Sequence, residues 1–344
     1  MNQNKPIDSY SLNNVKVSII VPIFNPSEIL FTKTMTALIQ QSLKHIEIIL
    51  VNDASTSEKI KNILNKYKKY PNIQVITHKF NKHIGGACNT GMKAAIGEFV
   101  AFCAQDDYME KDMYQLLYQK AIKDNSDVVI CGVQRVSDSG KVLGNRKLSA
   151  DIISNTLTQD KILRRSMIEK YSLSFIENTV PEDWFNSLCM MYSNKTSIVD
   201  KILFSYVQHE GSLVANQKSW INQALVSENC FYEECKNRGL LKKYKDEINY
   251  LYFYRYLWDG YKSILKYEKN GLDVLQKMLK HLESNNITIR DKAIKENLHK
   301  RLWRQLWILT NYPVLFRFFI FVKYHKYEKS RIVDYKKITQ TMME

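Results

Sequence analysis

Between residues 17 and 131 the sequence alternates short, mostly apolar runs of strand length with stretches that are apolar only at helical spacing. The runs are 17–24 (VSIIVPIF), 47–51 (EIILV), 73–77 (IQVIT), 99–103 (FVAFC) and 128–131 (VVIC). Between them, 27–41, 57–70, 86–95 and 112–123 each carry a helical apolar face; in 57–70 it is Ile60, Ile63, Leu64 and Tyr67. Strands buried on both faces lose the in–out alternation of a half-exposed sheet, so the pattern predicts βαβ units. The fold class is α/β, Rossmann-like, with a mainly parallel central sheet and flanking helices. Such sheets bind ligands beyond the carboxyl ends of their strands. Function is therefore expected in the polar residues that follow each strand.

The rest of the chain is organised differently. Its 344 residues suffice for two domains, each of about 100–200 residues. Residues 1–15 are polar, have no apolar core of a signal peptide, and are expected to be a disordered lead. A catalytic domain is expected over 16–220, with a short hairpin in 133–150 around Ser139-Gly140 and a mixed pattern over 156–220. From 221 to 344 the pattern is helical, and 249–266 is aromatic at helical spacing, as a core-packing face would be. The six cysteines form no C-x-x-C pair and lie in apolar runs. They read as small core residues of a reducing compartment.

Three acids follow strands: Asp53 after the second, and Asp106 and Asp107 after the fourth. A lone acid there can simply cap the next helix, and Asp53 before Ser55-Thr56-Ser57-Glu58 fits that reading too. The adjacent pair is less easily explained, because two neighbouring carboxylates repel unless a cation or hydrogen-bond donors relieve them. Hard divalent ions prefer such oxygen ligands, commonly together with phosphates. The loop 81–91 (NKHIGGACNTG) is not a G-x-G-x-x-G and does not follow the first strand, so the dinucleotide fingerprint is absent; so is a P-loop.

Taken in order, VSIIVPIFN, EIILVNDAST and NKHIGGACNTGMKAAIGEFVAFCAQDD resemble the family 2 glycosyltransferases, inverting enzymes of GT-A fold that use nucleotide-diphosphate sugars. The resemblance is close over residues 16–131 and weaker to about 215. It implies that Pro22, Asn25 and Asp53 surround the nucleotide base and ribose, that Asn89 is a nucleotide-side position, and that Gln105 and Asp106 lie on the nucleotide. It implies a metal, Mn2+ or Mg2+, held by Asp106 with Asp107 and His209. Three positions depart from the family pattern. Ala104 stands in place of the first acid of the D-x-D, His83 where Gly is usual, and Cys88 where Arg is usual.

Downstream, 180–185 (VPEDWF) resembles the family's E-D element. That implies Asp183 as the catalytic base, with Glu182 orienting it or binding acceptor hydroxyls. An inverting transfer needs one carboxylate to deprotonate the acceptor hydroxyl as its oxygen attacks the anomeric carbon. Alone, an E-D pair can equally be a helix N-terminal pair favoured by the helix dipole. The stretch 205–212 (SYVQHEGS) resembles the segment that closes this domain, and its His209 is the implied third metal ligand; neutral imidazole suits a divalent ion.

The charge balance agrees with anionic partners. Lys and Arg total 50 against 35 Asp and Glu, a net charge of +15. Residues 290–344 hold 13 basic and 5 acidic residues, a net +8, about half the excess. Within them 302–327 is strongly apolar but interrupted by Arg304, Asn311, Pro313 and Arg317. A spanning helix would bury Arg317 at about 2.5–3.5 kcal/mol, so an amphipathic helix on an anionic membrane surface is expected. The alternative is packing against a domain or a second subunit in a homodimer. No nucleic-acid module is present, and nucleic acid is not an expected partner. The whole predicts a transferase moving a sugar from a nucleotide sugar, a UDP-sugar by expectation, to a glycan or lipid-linked acceptor. It would work in bacterial surface polysaccharide synthesis, in the cytoplasm at the inner membrane face. The competing readings are a non-catalytic glycan-binding or scaffold relative, suggested by Ala104, and a nucleotidyltransferase, which lacks a signature loop.

Overall fold

The computed structural model describes residues 14–146, 148–153, 157–177, 183–209, 221–267 and 271–312. By internal packing the chain divides into two units, Met1–Ser212 and Leu213–Glu344. The expected boundary near 220 falls in 210–220, outside the described residues.

The first unit is built on a nine-stranded sheet ordered β3-β2-β1-β4-β8-β6-β9-β5, with β7 beside β6. Strands β1 (Val17–Ile23), β2 (Ile46–Asn52), β3 (Ile73–Thr77) and β4 (Phe99–Phe102) form its parallel half. They alternate with helices α1 (Glu28–Ile39), α2 (Glu58–Tyr67) and α3 (His83–Ala94). Six of the seven β1 residues and all seven of β2 are buried, which is why these strands read as unbroken apolar runs. Two polar side chains inside them satisfy each other: Ser18 donates to Glu47, whose carboxylate also accepts the Ile96 N–H at 2.8 Å. Helix α3 lies so close to β1 that a Cβ at Gly91 would sit 2.3 Å from a methyl of Ile20.

The second half is mixed rather than parallel, a correction to the simple βαβ reading. After β5 (Tyr108–Met109) and α4 (Met113–Asp124), β6 (Val128–Ser137) does not join β4. Strand β8 (Lys161–Arg164) lies between them, antiparallel to both. The expected hairpin is present: β6 turns through Gly140, at φ +86°, into β7 (Val142–Asn145). After α5 (Arg165–Lys170) and α6 (Asp183–Tyr192), β9 (Thr196–Gln208) pairs parallel with β6 and antiparallel with β5.

Among the described residues the second unit contains helices α7 (Ile221–Asn237), α8 (Leu241–Tyr267), α9 (Gly271–Ser284), α10 (Lys292–Asn297) and α11 (Lys300–Asn311). The aromatic face of α8 is core: Tyr250, Tyr252, Phe253 and Tyr256 are buried, and Tyr252 stacks on Tyr232. In α11, Leu302, Leu306 and Leu309 are buried and the Trp303 indole donates to the Ile289 carbonyl at 2.9 Å. The apolar stripe of this part of the basic segment is thus taken up by packing within the unit. The rest of it, 313–327, lies outside the described residues. No described helix is long and apolar enough to cross a membrane. Five of the six cysteines are buried thiols and none is paired.

Candidate functional site

The pairing of β1 with β4 ends at Ile20–Phe102, while β1 runs on beside β2 to Ile23–Asn52. Beyond Ile20 a crevice opens between β1 and β4. It is the point where strand order reverses, the place where open α/β sheets take ligands. Pro22 sits in this extension, where the absence of a proline N–H no longer interrupts the β4 ladder.

The loops around the crevice hold unusual backbone. Asn25 (φ +43°), Ala54 (φ +61°) and His83 (φ +58°) are all left-handed without being glycine. A side chain there costs about 1–2 kcal/mol, and such outliers concentrate at functional sites. His83 occupies the position where the family pattern has Gly, and its φ gives the reason for that pattern. The Asn81 side chain partly compensates by accepting the His83 N–H at 2.8 Å. The loops are also tied together. Asn25 Oδ1 accepts the Thr56 N–H at 3.0 Å, and the Asn25 N–H donates to Ser55 Oγ at 3.0 Å. The Gln105 amide pairs with the Phe24 backbone, accepting its N–H at 2.8 Å and donating to its carbonyl at 3.2 Å. Gln105, expected on the nucleotide, thus braces the rim by fixing the backbone of Phe24, whose side chain is exposed.

Asp53 is buried. Its Oδ1 accepts the Lys82 N–H at 2.8 Å and meets His78 Nδ1 at 2.7 Å. It does not cap the helix after it: α2 has no side-chain cap bond. On the opposite side, the antiparallel pairing of Tyr108 with Ser205 carries the end of β9 past the β4 loop. This brings His209 Nε2 to 2.7 Å from Asp106 Oδ2, across 103 residues of sequence. Both side chains are partly exposed.

Asp107 does not join them. Its Oδ1 accepts the Val207 N–H at 2.8 Å, and its Oδ2 is buried without a hydrogen-bond partner. Burial, reinforced by the neighbouring Asp106 charge, pushes its carboxyl well above the usual range. Among the described residues no three His, Cys, Asp or Glu side chains form a metal-binding group. Two of the three expected metal ligands therefore come together and the third is turned into the sheet, where it registers β9. An oxygen and an imidazole nitrogen side by side fit a divalent cation that takes its remaining ligands from diphosphate and water.

Asn89 also departs from expectation. It is buried, and its amide is committed to the chain: Oδ1 accepts the Phe175 N–H at 2.8 Å and Nδ2 donates to the Phe175 carbonyl at 2.9 Å. The Phe175 ring stacks on Phe185 at 4.0 Å and meets Phe102 edge-on at 5.2 Å. Asn89 thus fastens the segment that leads to α6, and the first residue of α6 is Asp183. Its side chain and Glu182 lie outside the described residues. Sequence reasoning did not single out His78, Thr90 or Phe24. The only signal for Phe24 was an aromatic residue at a strand end, where solvent waits.

Residues 18–180 match the family model described as Glycosyl transferase family 2. EpsH of Bacillus subtilis (strain 168) is 28% identical over 68% of this chain and 73% of its own length. TarS of Staphylococcus aureus (strain Mu50), a poly(ribitol-phosphate) beta-N-acetylglucosaminyltransferase, is 27% identical over 68% of this chain, which spans 43% of that relative. Among solved structures, S. aureus TarS 1-349 in complex with UDP-GlcNAc matches with a TM-score of 0.68 at 23% identity, covering 81% of this chain and 83% of that one. At that identity the likeness establishes the shared fold.

Proposed function

The chain belongs to glycosyltransferase family 2 through residues 18–180 and is a glycosyltransferase, and on that premise we propose that it transfers a sugar with inversion from a UDP-sugar to a glycan or lipid-linked acceptor of a bacterial surface polysaccharide. The observation that carries this reading is the rim itself. Buried Asp53 stands on one side of the β1–β4 crevice and the Asp106–His209 pair on the other. The UDP assignment is supported by the structural neighbour, whose complex contains UDP-GlcNAc. The polymer acceptor is supported by the name of the same relative.

In this reading Asp53, Asn25 and Pro22 hold the nucleoside, and the exposed ring of Phe24 offers a face to its planar base. Asp106 and His209 would hold Mn2+ or Mg2+. The cation would offset the charge of the departing diphosphate. Asp183 accepts the proton of the acceptor hydroxyl as that oxygen bonds to the anomeric carbon. The C–O bond to the diphosphate breaks on the opposite face. The base must come within about 2.6–3.2 Å of that oxygen, and Glu182 orients it or holds acceptor hydroxyls. Residues beyond 312 supply the docking to an anionic membrane surface, by the aromatic and basic pattern of 313–327; the alternative occupant is a second copy of the chain.

The test is UDP release from a panel of UDP-sugars with glycan acceptors, for wild type and Asp183→Asn. General-base catalysis is worth about 10²–10⁴-fold. The variant is expected to lose that much turnover and keep its UDP affinity. Full activity in Asp183→Asn would remove this residue as the base.

A further inference from the structure

Asp53, on which the proposed donor site depends, is not held by its own loop alone. His78, just after β3, is partly buried and uses both ring nitrogens. Its Nδ1 is 2.7 Å from Asp53 Oδ1 and its Nε2 is 2.9 Å from Thr90 Oγ1 on α3. The side chains of His78 and Asp53 are only 9% and 4% exposed. A carboxylate facing an imidazole nitrogen is an acceptor, so Nδ1 carries the proton toward Asp53. Nε2 pairs with the Thr90 hydroxyl, so the three side chains form one hydrogen-bonded chain whose links polarise one another. The Lys82 N–H meets the same oxygen at 2.8 Å. Oδ1 is therefore fully engaged by two donors. Oδ2 has no protein donor among the described residues and is not among the fully sealed, unpartnered atoms.

We infer that His78 and Thr90 are positioning residues that lock the Asp53 carboxylate so that Oδ2 alone is presented to the nucleobase, making base discrimination depend on a residue 25 positions away. This rests on the donor-site reading above. An acceptor oxygen held at one place favours uracil, whose N3 carries a hydrogen. It disfavours cytosine, whose N3 carries a lone pair and is repelled. A carboxylate free to rotate about its side-chain torsions cannot enforce that difference, since it can withdraw from the cytosine nitrogen. Without His78, only the Lys82 N–H would hold Oδ1. The relay also spans two elements, β3 and α3, so it transmits their relative placement to the ligand-reading atom.

The experiment is calorimetric binding of UDP and of CDP to the full chain. It compares wild type with His78→Ala, with His78→Asn, whose amide can replace the Nδ1 donor, and with Thr90→Val, which is nearly isosteric and removes only the hydroxyl. Circular dichroism identifies any variant that has not folded. Wild type is expected to prefer UDP. His78→Ala is expected to weaken UDP binding about tenfold or more, leave CDP within about twofold, and so collapse the ratio, a difference of about 1.4 kcal/mol in UDP binding. His78→Asn should restore most of the preference, and Thr90→Val should lower it severalfold. A general structural defect would weaken both nucleotides together and would not be rescued by asparagine. If wild type prefers UDP and both His78→Ala and Thr90→Val keep that ratio within twofold, the inference is overturned while the donor site stands. If wild type binds neither nucleotide, the donor-site reading falls and the inference with it.

Discussion

Replacing Asn89 by Ala separates an architectural role from a ligand contact. In the structure the amide satisfies both backbone groups of Phe175, a residue that is itself 3% exposed. Removing it leaves a buried N–H and a buried C=O without partners, each costing about 1–3 kcal/mol. Water entering the small space left behind will recover part of that, so the expected loss is about 2–4 kcal/mol. For a domain of this size each kcal/mol moves Tm by about 2–4 °C, which places the shift at roughly 4–16 °C. Asn89→Asp is the sharper variant. It keeps the acceptor for the Phe175 N–H but sets an oxygen against the Phe175 carbonyl and near Glu177, which the amide now approaches at 3.4 Å. It should be at least as destabilising as alanine. The assay is differential scanning fluorimetry beside UDP binding and turnover below the melting range. We expect a lower Tm, reduced turnover because the anchor of α6 and its Asp183 is loosened, and UDP affinity within about threefold of wild type. A tenfold loss of UDP affinity at unchanged Tm would refute the reasoning and return Asn89 to the nucleotide.

Two further outcomes follow from the same geometry. His83→Gly relieves a left-handed side chain worth about 1–2 kcal/mol, less the unfolded-chain entropy of glycine at about 0.5–1 kcal/mol; Tm should rise by a few degrees (about 2 °C), and a fall would show that the imidazole is needed. In the helical unit, burial lowers the His281 pKa below its ordinary 6.5. The unfolded chain then binds that proton first as pH falls, so stability is full above about pH 6.5 and declines below it until the lowered folded value is passed. Urea unfolding of the full chain followed by hydrogen exchange in α9 at pH 7.5 and 5.5 should show the loss, and His281→Gln should flatten it. An identical pH response in both proteins would contradict the assignment.

The strands of the parallel half were legible to within a residue, because β1 and β2 are buried on both faces and leave short unbroken apolar runs, whereas α2 ends and α3 begins three residues earlier than their apolar spacing suggests. Strand β8 was not readable. It is four residues long, and it opens on Lys161, a charged residue that reads as exposed but is fully buried, paired with its neighbour Asp160. Strand β9 hid for another reason. Its register against β6 jumps from Val199 to Ile202 opposite Cys131 and Gly132, and again from Ile202 to Phe204 opposite Gly132 and Val133; the three extra residues break the alternation that would announce a strand. The site divides the same way. Acids after strands mark the rim from sequence alone, but the Asp106–His209 contact depends on a short β5–β9 pairing that no local pattern encodes. Neither Asn89 nor Gln105 could be assigned from residue type, since an amide serves a backbone as readily as a ligand. His83 is instructive in the opposite sense: it stands where the family pattern has glycine, and the first consequence of that departure is backbone strain at φ +58°.

The central claim is a donor site whose diphosphate end is completed by Asp106 and His209. It is tested most directly by the thermal shift of the full chain with UDP, with and without manganese, in wild type and in Asp106→Ala. Binding at a hundredfold excess over Kd stabilises by about 2.7 kcal/mol, or roughly 5–11 °C. The account predicts that shift for wild type with manganese, a much smaller one without it, and loss of the manganese dependence in Asp106→Ala. No shift with UDP under either condition, or a shift that neither manganese nor Asp106→Ala alters, would contradict it.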